Sequence, residues 1–212
     1  MASARPLPEP AIELSAAELA DALACRAPAM VITGAGVSTA SGIPDYRDHE
    51  GSWKRGSPMQ LAEFTGSHYG RQRYWARSLV GWRTVERARP NDAHGALARL
   101  ARQGIVGPLI TQNVDGLHQA AGSPAVLDLH GRLDRVECLD CGRVIPRARH
   151  QDELEAANPD WAEAAQQRET APDGDVELGD VDYGRFVVPA CEACGGLLKP
   201  AVTFFGETVP KA

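Results

Sequence analysis

MVITGAGVSTASGIPDYR, residues 30–47, begins as a strand and ends in charge. Met30-Val31-Ile32 is an apolar run suited to a short buried strand. It breaks at Gly34-Ala35-Gly36, where two glycines allow a tight bend and close approach to another molecule. Small and hydroxylated residues follow, Ser38, Thr39, Ala40, Ser41 and Gly42, then Pro44 and the charged pair Asp45 and Arg47. A strand feeding a glycine turn with outward main-chain N–H groups is one way proteins hold a diphosphate. As a dinucleotide fingerprint the stretch is imperfect, because Thr39 stands where a third glycine or an alanine is expected. On these residues alone a nucleotide site and an ordinary tight turn both remain open.

Around this stretch, strands alternate with helices. Leu14 to Ala24 reads as a short helix, with Ser15 as N-cap and Glu18 three residues on. Cys25 is expected to pack beside it as a small hydrophobe. The polar, Gly-containing stretch Asp48 to Gly56, with Trp53, reads as a loop and potential lid. From Pro58 to Val85 the pattern is helical and aromatic, and its rings are expected to fill a core between short helices. Pro90-Asn91-Asp92 opens another helix, which Gly104 can end. Ile105 to Ile110 is a second buried strand, followed at once by Thr111-Gln112-Asn113-Val114-Asp115-Gly116-Leu117-His118. Polar residues at the C-terminal end of a strand are where an α/β sheet places its ligand. Val126 to Gly131 gives a third short strand ending in His130. A parallel, doubly wound α/β sheet is the economical architecture. Beyond Arg132 a helix near Asp152 to Ala165, an acidic loop over Ala171 to Asp175 and a strand over Leu198 to Phe205 are expected.

The 212 residues, 43% of them hydrophobic, suffice for one domain with an inserted module. A formal charge of −6 gives no support to sequence-independent nucleic-acid binding. The arginines at 71, 73, 77, 83, 87 and 89 read as a solvated helix face. The opening MASARPLPEP has three prolines and no apolar core, and no apolar run reaches membrane-spanning length. Neither a nucleic-acid nor a membrane partner is expected, and the expected location is cytoplasmic.

Five cysteines argue against a pure disulfide framework. Four form two Cys-x-x-Cys-Gly knuckles, Cys138/Cys141 and Cys191/Cys194. The two-residue spacing turns both thiolates of a pair toward one ion, and two pairs complete a tetrahedral set for a single zinc. Four sulfurs leave no open position, so such a zinc is structural. A redox dithiol and an iron–sulfur cluster are the alternatives.

GAGVSTASGIPDYR, TQNVDGLH, the Leu-His-Gly around His130, the two cysteine pairs and KPAVTFFGE occur in an order that resembles the sirtuins, the NAD-dependent protein-lysine deacylases. The likeness covers the chain from about residue 28 onward. RQRYWARSLVGW and APDGDVEL are similar to the class II, mitochondrial and bacterial-type branch. The resemblance implies a Rossmann-like parallel sheet with a small zinc-binding module and a helical insertion. An arm and helix would span residues 1–27. The first part of the NAD-binding domain would span 28–131, with the insertion at about 48–90. The zinc module would span 132–197, and a substrate-pairing strand would return over 198–212. NAD would serve as co-substrate, one zinc ion as structural metal, and an acyl-lysine protein or peptide as partner.

Residue by residue, the resemblance implies that Gly34, Ala35, Gly36, Ser38 and Thr39 hold the pyrophosphate. Asp45, Tyr46 and Arg47 would flank the nicotinamide, with Tyr46 where most of the family has phenylalanine. Gln112, Asn113, Val114 and Asp115 would position the nicotinamide and its ribose. His130 would be the general base; an isolated histidine is more often a satisfied core residue, and the surrounding motifs reverse that reading. Val202, Phe204, Phe205 and Gly206 would pair with the substrate. Tyr74 and Arg77 resemble the Tyr-x-x-Arg pair that binds acidic acyl groups, although the sequence from Arg77 to Pro90 is longer than in that subgroup. The family continues past the FFGE strand into a second half of the sheet, so the resemblance implies a partial, C-terminally truncated Rossmann-like sheet. Mono-ADP-ribosyl transfer from the same NAD site, and a non-catalytic zinc-stapled interaction module, are the competing functions.

Overall fold

The computed structural model describes residues 14–45, 58–163, 176, 178 and 181–209. Tyr46, Arg47, the expected lid over 48–56, the acidic loop 171–175 and the N-terminal arm to residue 11 lie outside the described residues. Helix α1 (Ala16–Cys25) starts at the foreseen capping box: Ser15 Oγ accepts from the Glu18 N–H, and the Glu18 carboxylate accepts from the Ser15 N–H. None of its residues is buried. Cys25 is exposed, so the expectation that it packs as a small hydrophobe is corrected: no described element covers α1.

Strands β1 (Ala29–Thr33), β2 (Val106–Thr111) and β3 (Val126–Asp128) form a parallel sheet in that order. Thr33 lies beside Thr111, and Thr111 beside Asp128, so the three strands end at one level. Their C-terminal ends emit the segment 34–45, the segment 112–116 and the short link through His130. Helix α4 (Asp92–Arg102) carries the chain into β2. Gly104, at φ +72°, takes the left-handed position just past its end, as the sequence implied.

A second, antiparallel sheet has the order β5 (Val144–Pro146), β4 (Gly131–Cys138), β6 (Leu198–Val202). The sequence reading had no strand over 131–138. GRLDRVEC mixes charge with apolar residues, and the β4–β6 register shifts between Gly131 and Val136, so its buried positions, Leu133, Val136 and Cys138, lose strict alternation. Gly131 has φ +77°, and a Cβ there would collide with the Ala201 carbonyl oxygen of β6.

The aromatic stretch forms α2 (Leu61–Gly66) and one long helix, α3 (His68–Arg87), rather than several short ones. Ser67 caps α3 by accepting from the Gly70 N–H. The expectation of a ring-filled core holds for Phe64, Tyr74, Trp75 and Trp82, all buried, while Tyr69 is half exposed. Phe64, Tyr74 and Phe204 pack edge to face or tilted with centroids 5.1–5.4 Å apart. Arg147 is buried with its guanidinium over the Trp75 and Trp82 rings, at 5.5 and 5.1 Å. The expected single helix near 152–165 is instead α6 (Arg147–Ala157) and α7 (Pro159–Glu163). Pro159 cannot continue the hydrogen-bond ladder, and the Asn158 side chain takes up the loose ends, donating to Leu154 and Val187 carbonyls. Among the described residues an apolar cluster therefore lies between α2, α3, α6 and the β4–β6 pair, beside the parallel sheet rather than on it. Among the described residues no helix is long and apolar enough to cross a membrane.

Candidate active site and four-cysteine centre

Where the parallel strands end, a cleft of about 600 Å³ opens toward β6. That volume suits a small-molecule site. Ala35, Ser38, Asp45, Gln112, Asn113, Val114, Asp115 and His130 line one part of it. Tyr74, Val202, Phe204, Phe205 and Gly206 line the other. Ile43, Pro58, Met59, Thr203, Glu207 and Val209 also line it, and the sequence reading assigned none of them.

The first wall is built by hydrogen bonds. Ser38 Oγ donates to Asp115 Oδ2 at 2.7 Å and accepts from Asn113 Nδ2 at 3.0 Å. Asp115 Oδ1 accepts from the Leu117 N–H at 2.9 Å, at the start of α5 (Leu117–Ala120). Asn91, the N-cap of α4, reaches across to the glycine turn and donates to the Val37 carbonyl and Ser41 Oγ. The turn itself winds as a 3-10 helix over Ala35–Ser41. Thr39 spends its hydroxyl inside that turn, on the Gly36 carbonyl, and does not line the cleft. A Cβ at Gly34 or Gly36 would meet nothing within 4 Å, and neither glycine has the positive φ that excludes side chains. Among the described residues packing gives no reason for these two glycines, whereas a ligand laid against the main chain does.

His130 sits between the two sheets. Its Nδ1 is 3.0 Å from the Gln112 carbonyl oxygen. A carbonyl only accepts, so Nδ1 carries the proton and Nε2 keeps its lone pair. Its own carbonyl accepts from the Thr203 N–H at 2.9 Å, which ties the histidine to the segment after β6.

The substrate-side residues are brought together with two qualifications. The Phe204 N–H donates to Glu207 Oε2, and the Phe205 carbonyl accepts from the Leu61 N–H, so these groups are already engaged. Lys199 is buried and sets the shape of this corner. Its ammonium donates to the Val202 carbonyl at 2.6 Å and to Glu207 Oε2 at 3.3 Å, and lies 5.1 Å from the Phe204 ring centre. Its signal was present in the string KPAVTFFGE, but no role could be read from it. Tyr74 and Arg77, the pair that the resemblance implied, differ in what they meet. Tyr74 lines it, whereas Arg77 is not among the lining residues and its Nε donates to the Val176 carbonyl at 2.9 Å.

The four knuckle sulfurs, of Cys138, Cys141, Cys191 and Cys194, lie within 4.8 Å of one another. Cys138 and Cys194 are 3.5 Å apart and Cys141 and Cys191 3.8 Å. Sulfurs at the corners of a tetrahedron around zinc stand roughly 3.8 Å apart, so the set fits one ion and is closed. The Cys141 N–H helps draw the Cys138 thiol down to about 7. At Cys194 the Gly196 N–H pulls the same way, but the crowding sulfurs of Cys141 and Cys138, with burial, outweigh it and push that thiol up to about 12. Four thiolates so close need a cation among them.

Residues 34–212 match the Sir2 family. The chain belongs to that family. It is 61% identical over 181 residues to a protein named NAD-dependent protein deacetylase from Bordetella bronchiseptica, across 85% of this chain and 65% of the relative. It is 58% identical to NAD-dependent protein deacetylase 2 of Bradyrhizobium diazoefficiens, across 85% of this chain and 66% of the relative. The chain thus spans just under two thirds of the length of these curated relatives. Among family members of known structure, one solved as a Sir2–p53 peptide–NAD+ complex matches 93% of this chain and 67% of its own, with a TM-score of 0.64 and 29% identity. Another, from work on sirtuin substrate affinity, matches with a TM-score of 0.69 and 28% identity.

Proposed function

We propose that this chain carries the catalytic histidine and much of the binding cleft of an NAD-dependent protein-lysine deacylase that removes small uncharged acyl groups. The supporting observation is His130: Nδ1 is pinned by the Gln112 carbonyl, so Nε2 is the base, at the junction of a carboxamide–carboxylate wall and a strand-like segment. NAD, when bound, supplies the ADP-ribosyl acceptor for the acyl group and releases nicotinamide. Ala35 and Ser38 would meet its phosphate side, and Gly34 and Gly36 leave the main chain open to it. Asn113 and Asp115, locked to Ser38, would hold the nicotinamide end. His130 Nε2 would take a proton from a ribose hydroxyl. The segment 202–206 seats the acyl-lysine peptide. Cys138, Cys141, Cys191 and Cys194 hold one structural zinc. The uncharged acyl preference follows from Arg77, engaged at Val176, and from the apolar lining of Ile43, Met59, Val202 and Phe204. Four reduced thiolates and an exposed free Cys25 fit a reducing compartment, and we assign the protein to the cytoplasm.

The test is nicotinamide release by the full gene product with acetyl-, lipoyl- and succinyl-lysine peptides. Acetyl-lysine should be turned over in preference to succinyl-lysine. His130→Gln should lower turnover by about 10²–10⁴ while NAD still binds. Turnover undiminished in His130→Gln, or a preference for succinyl-lysine, would overturn the corresponding part of the reading.

A further inference from the structure

Behind the wall of the cleft lies a buried polar chain that no step above uses. His94 and His118 are both buried, with ring centres 4.7 Å apart. His94 Nδ1 accepts from the Asn91 N–H, completing the cap of the helix whose Asn91 side chain grips the glycine turn. His118 Nε2 lies 2.9 Å from Thr33 Oγ1. The Thr33 hydroxyl donates to Thr111 Oγ1 at 2.9 Å, so its proton is spent and His118 Nε2 is the donor to it. Thr111 Oγ1 in turn accepts from the Asn113 N–H at 3.1 Å. Asn113 is the residue whose side chain orients Ser38 and, through it, Asp115.

We propose that His118 is a positioning residue for the nucleotide side of the cleft: its Nε2–H, relayed by the Thr33 and Thr111 hydroxyls, fixes the main chain at Asn113 and so aims the Asn113–Ser38–Asp115 set. The relay ties the ends of β1 and β2 to α5 through side chains alone, at the level where both strands stop. The Thr33 hydroxyl both gives and takes, and Thr111 Oγ1 accepts from two donors, Thr33 and the Asn113 N–H; linked bonds of this kind strengthen one another in a dry setting. Burial favours the neutral ring, and the charged or titratable groups facing it are His94 from α4 and Asp115 from the loop before α5. The proposal rests on the NAD reading for its kinetic consequence and stands on geometry for its structural one.

Three variants in the full gene product test it. His118→Gln places an amide N–H near the position of Nε2. His118→Leu fills the space without a donor. Thr33→Val interrupts the relay with His118 intact. The expected result is a loss of about tenfold in kcat/KM for NAD in His118→Leu and Thr33→Val, the size of one net hydrogen bond. The KM for the acyl-lysine peptide should stay within about twofold, and His118→Gln should recover most of the loss. Hydrogen exchange at the Asn113 amide, read without any substrate, should quicken in the two disrupted variants and stay native in His118→Gln. Equal loss for both substrates, no rescue by Gln, or unchanged exchange at Asn113 would each overturn the assignment. A native protein that neither binds nor consumes NAD would instead sink the cleft reading, and the exchange result would still decide the relay.

Discussion

Single side chains here are made reactive or inert by what their second polar atom touches. His130 and His118 are both imidazoles near the ends of parallel strands, yet one has its free nitrogen on a cleft and the other is walled in. Burial pushes His118 down to about 4, with neighbouring His94 adding to the effect and Asp115 opposing it. Burial pushes His150 to about 4 as well, against the Glu153 hydrogen bond. Both folded values lie below the ~6.5 of an unfolded chain. The unfolded state therefore takes up these protons first, so the stability held by the neutral rings is complete above about pH 6.5 and is lost as pH falls toward 4. Together the two sites should lower unfolding stability by a few kcal/mol, on the order expected from linkage, across that window. Urea melts between pH 7 and 4 check this, and His150→Phe should flatten the acid limb if it still folds. A melt unchanged from pH 7 to 4 would contradict it.

At the scale of elements, what is local was legible and what depends on distant partners was not. The glycine turn, β1, β2 and the two knuckles each carry their signal within a few residues and fall where the sequence put them, although β1, expected to be buried, leaves Met30 and Ile32 exposed because no described element covers that face. Strand β4 did not announce itself, because its bulge breaks the alternation of GRLDRVEC. The contact of Arg77 was hidden for a similar reason: the carbonyl that its Nε meets belongs to Val176, about a hundred positions away. The His94–His118 contact joins two helices that the sequence gives no cause to pair. Strand β4 now has a role the sequence hid, since it runs from the residue after His130 to the knuckle cysteine Cys138. Stripping zinc with a chelator should lower the melting temperature by about 10 °C or more, equivalent to roughly 3–5 kcal/mol. Limited proteolysis should then cut within residues 138–197 before it cuts the parallel sheet, and added zinc should reverse both effects. An unchanged melt after verified metal removal would show that the knuckles do not staple this sheet.

Across the whole molecule, apolar surface is unevenly covered. Met30 and Ile32, alternating on β1, are 70% and 63% exposed, and Leu127 on β3 is 42% exposed. Leu14 and Leu19 beside or on α1 are about half exposed as well. Strand β1 pairs only with β2, so among the described residues one of its edges carries no strand. An open edge next to an apolar face is prone to join with another chain. The chain should therefore self-associate with rising concentration. Light scattering measures this. A chain that stays monodisperse as concentration rises would contradict the expectation.

The empty space beside Gly34 and Gly36 sets them apart from Gly131 in what a mutational library would select. In a library sorted only for folded, expressed protein, Gly34→Ala and Gly36→Ala should persist, while Gly131→Ala should vanish. Sorted for turnover, all three should vanish. The gap between the two sorts would trace the outline of a molecule the chain was shaped around, recorded in residues whose own neighbours never asked for them.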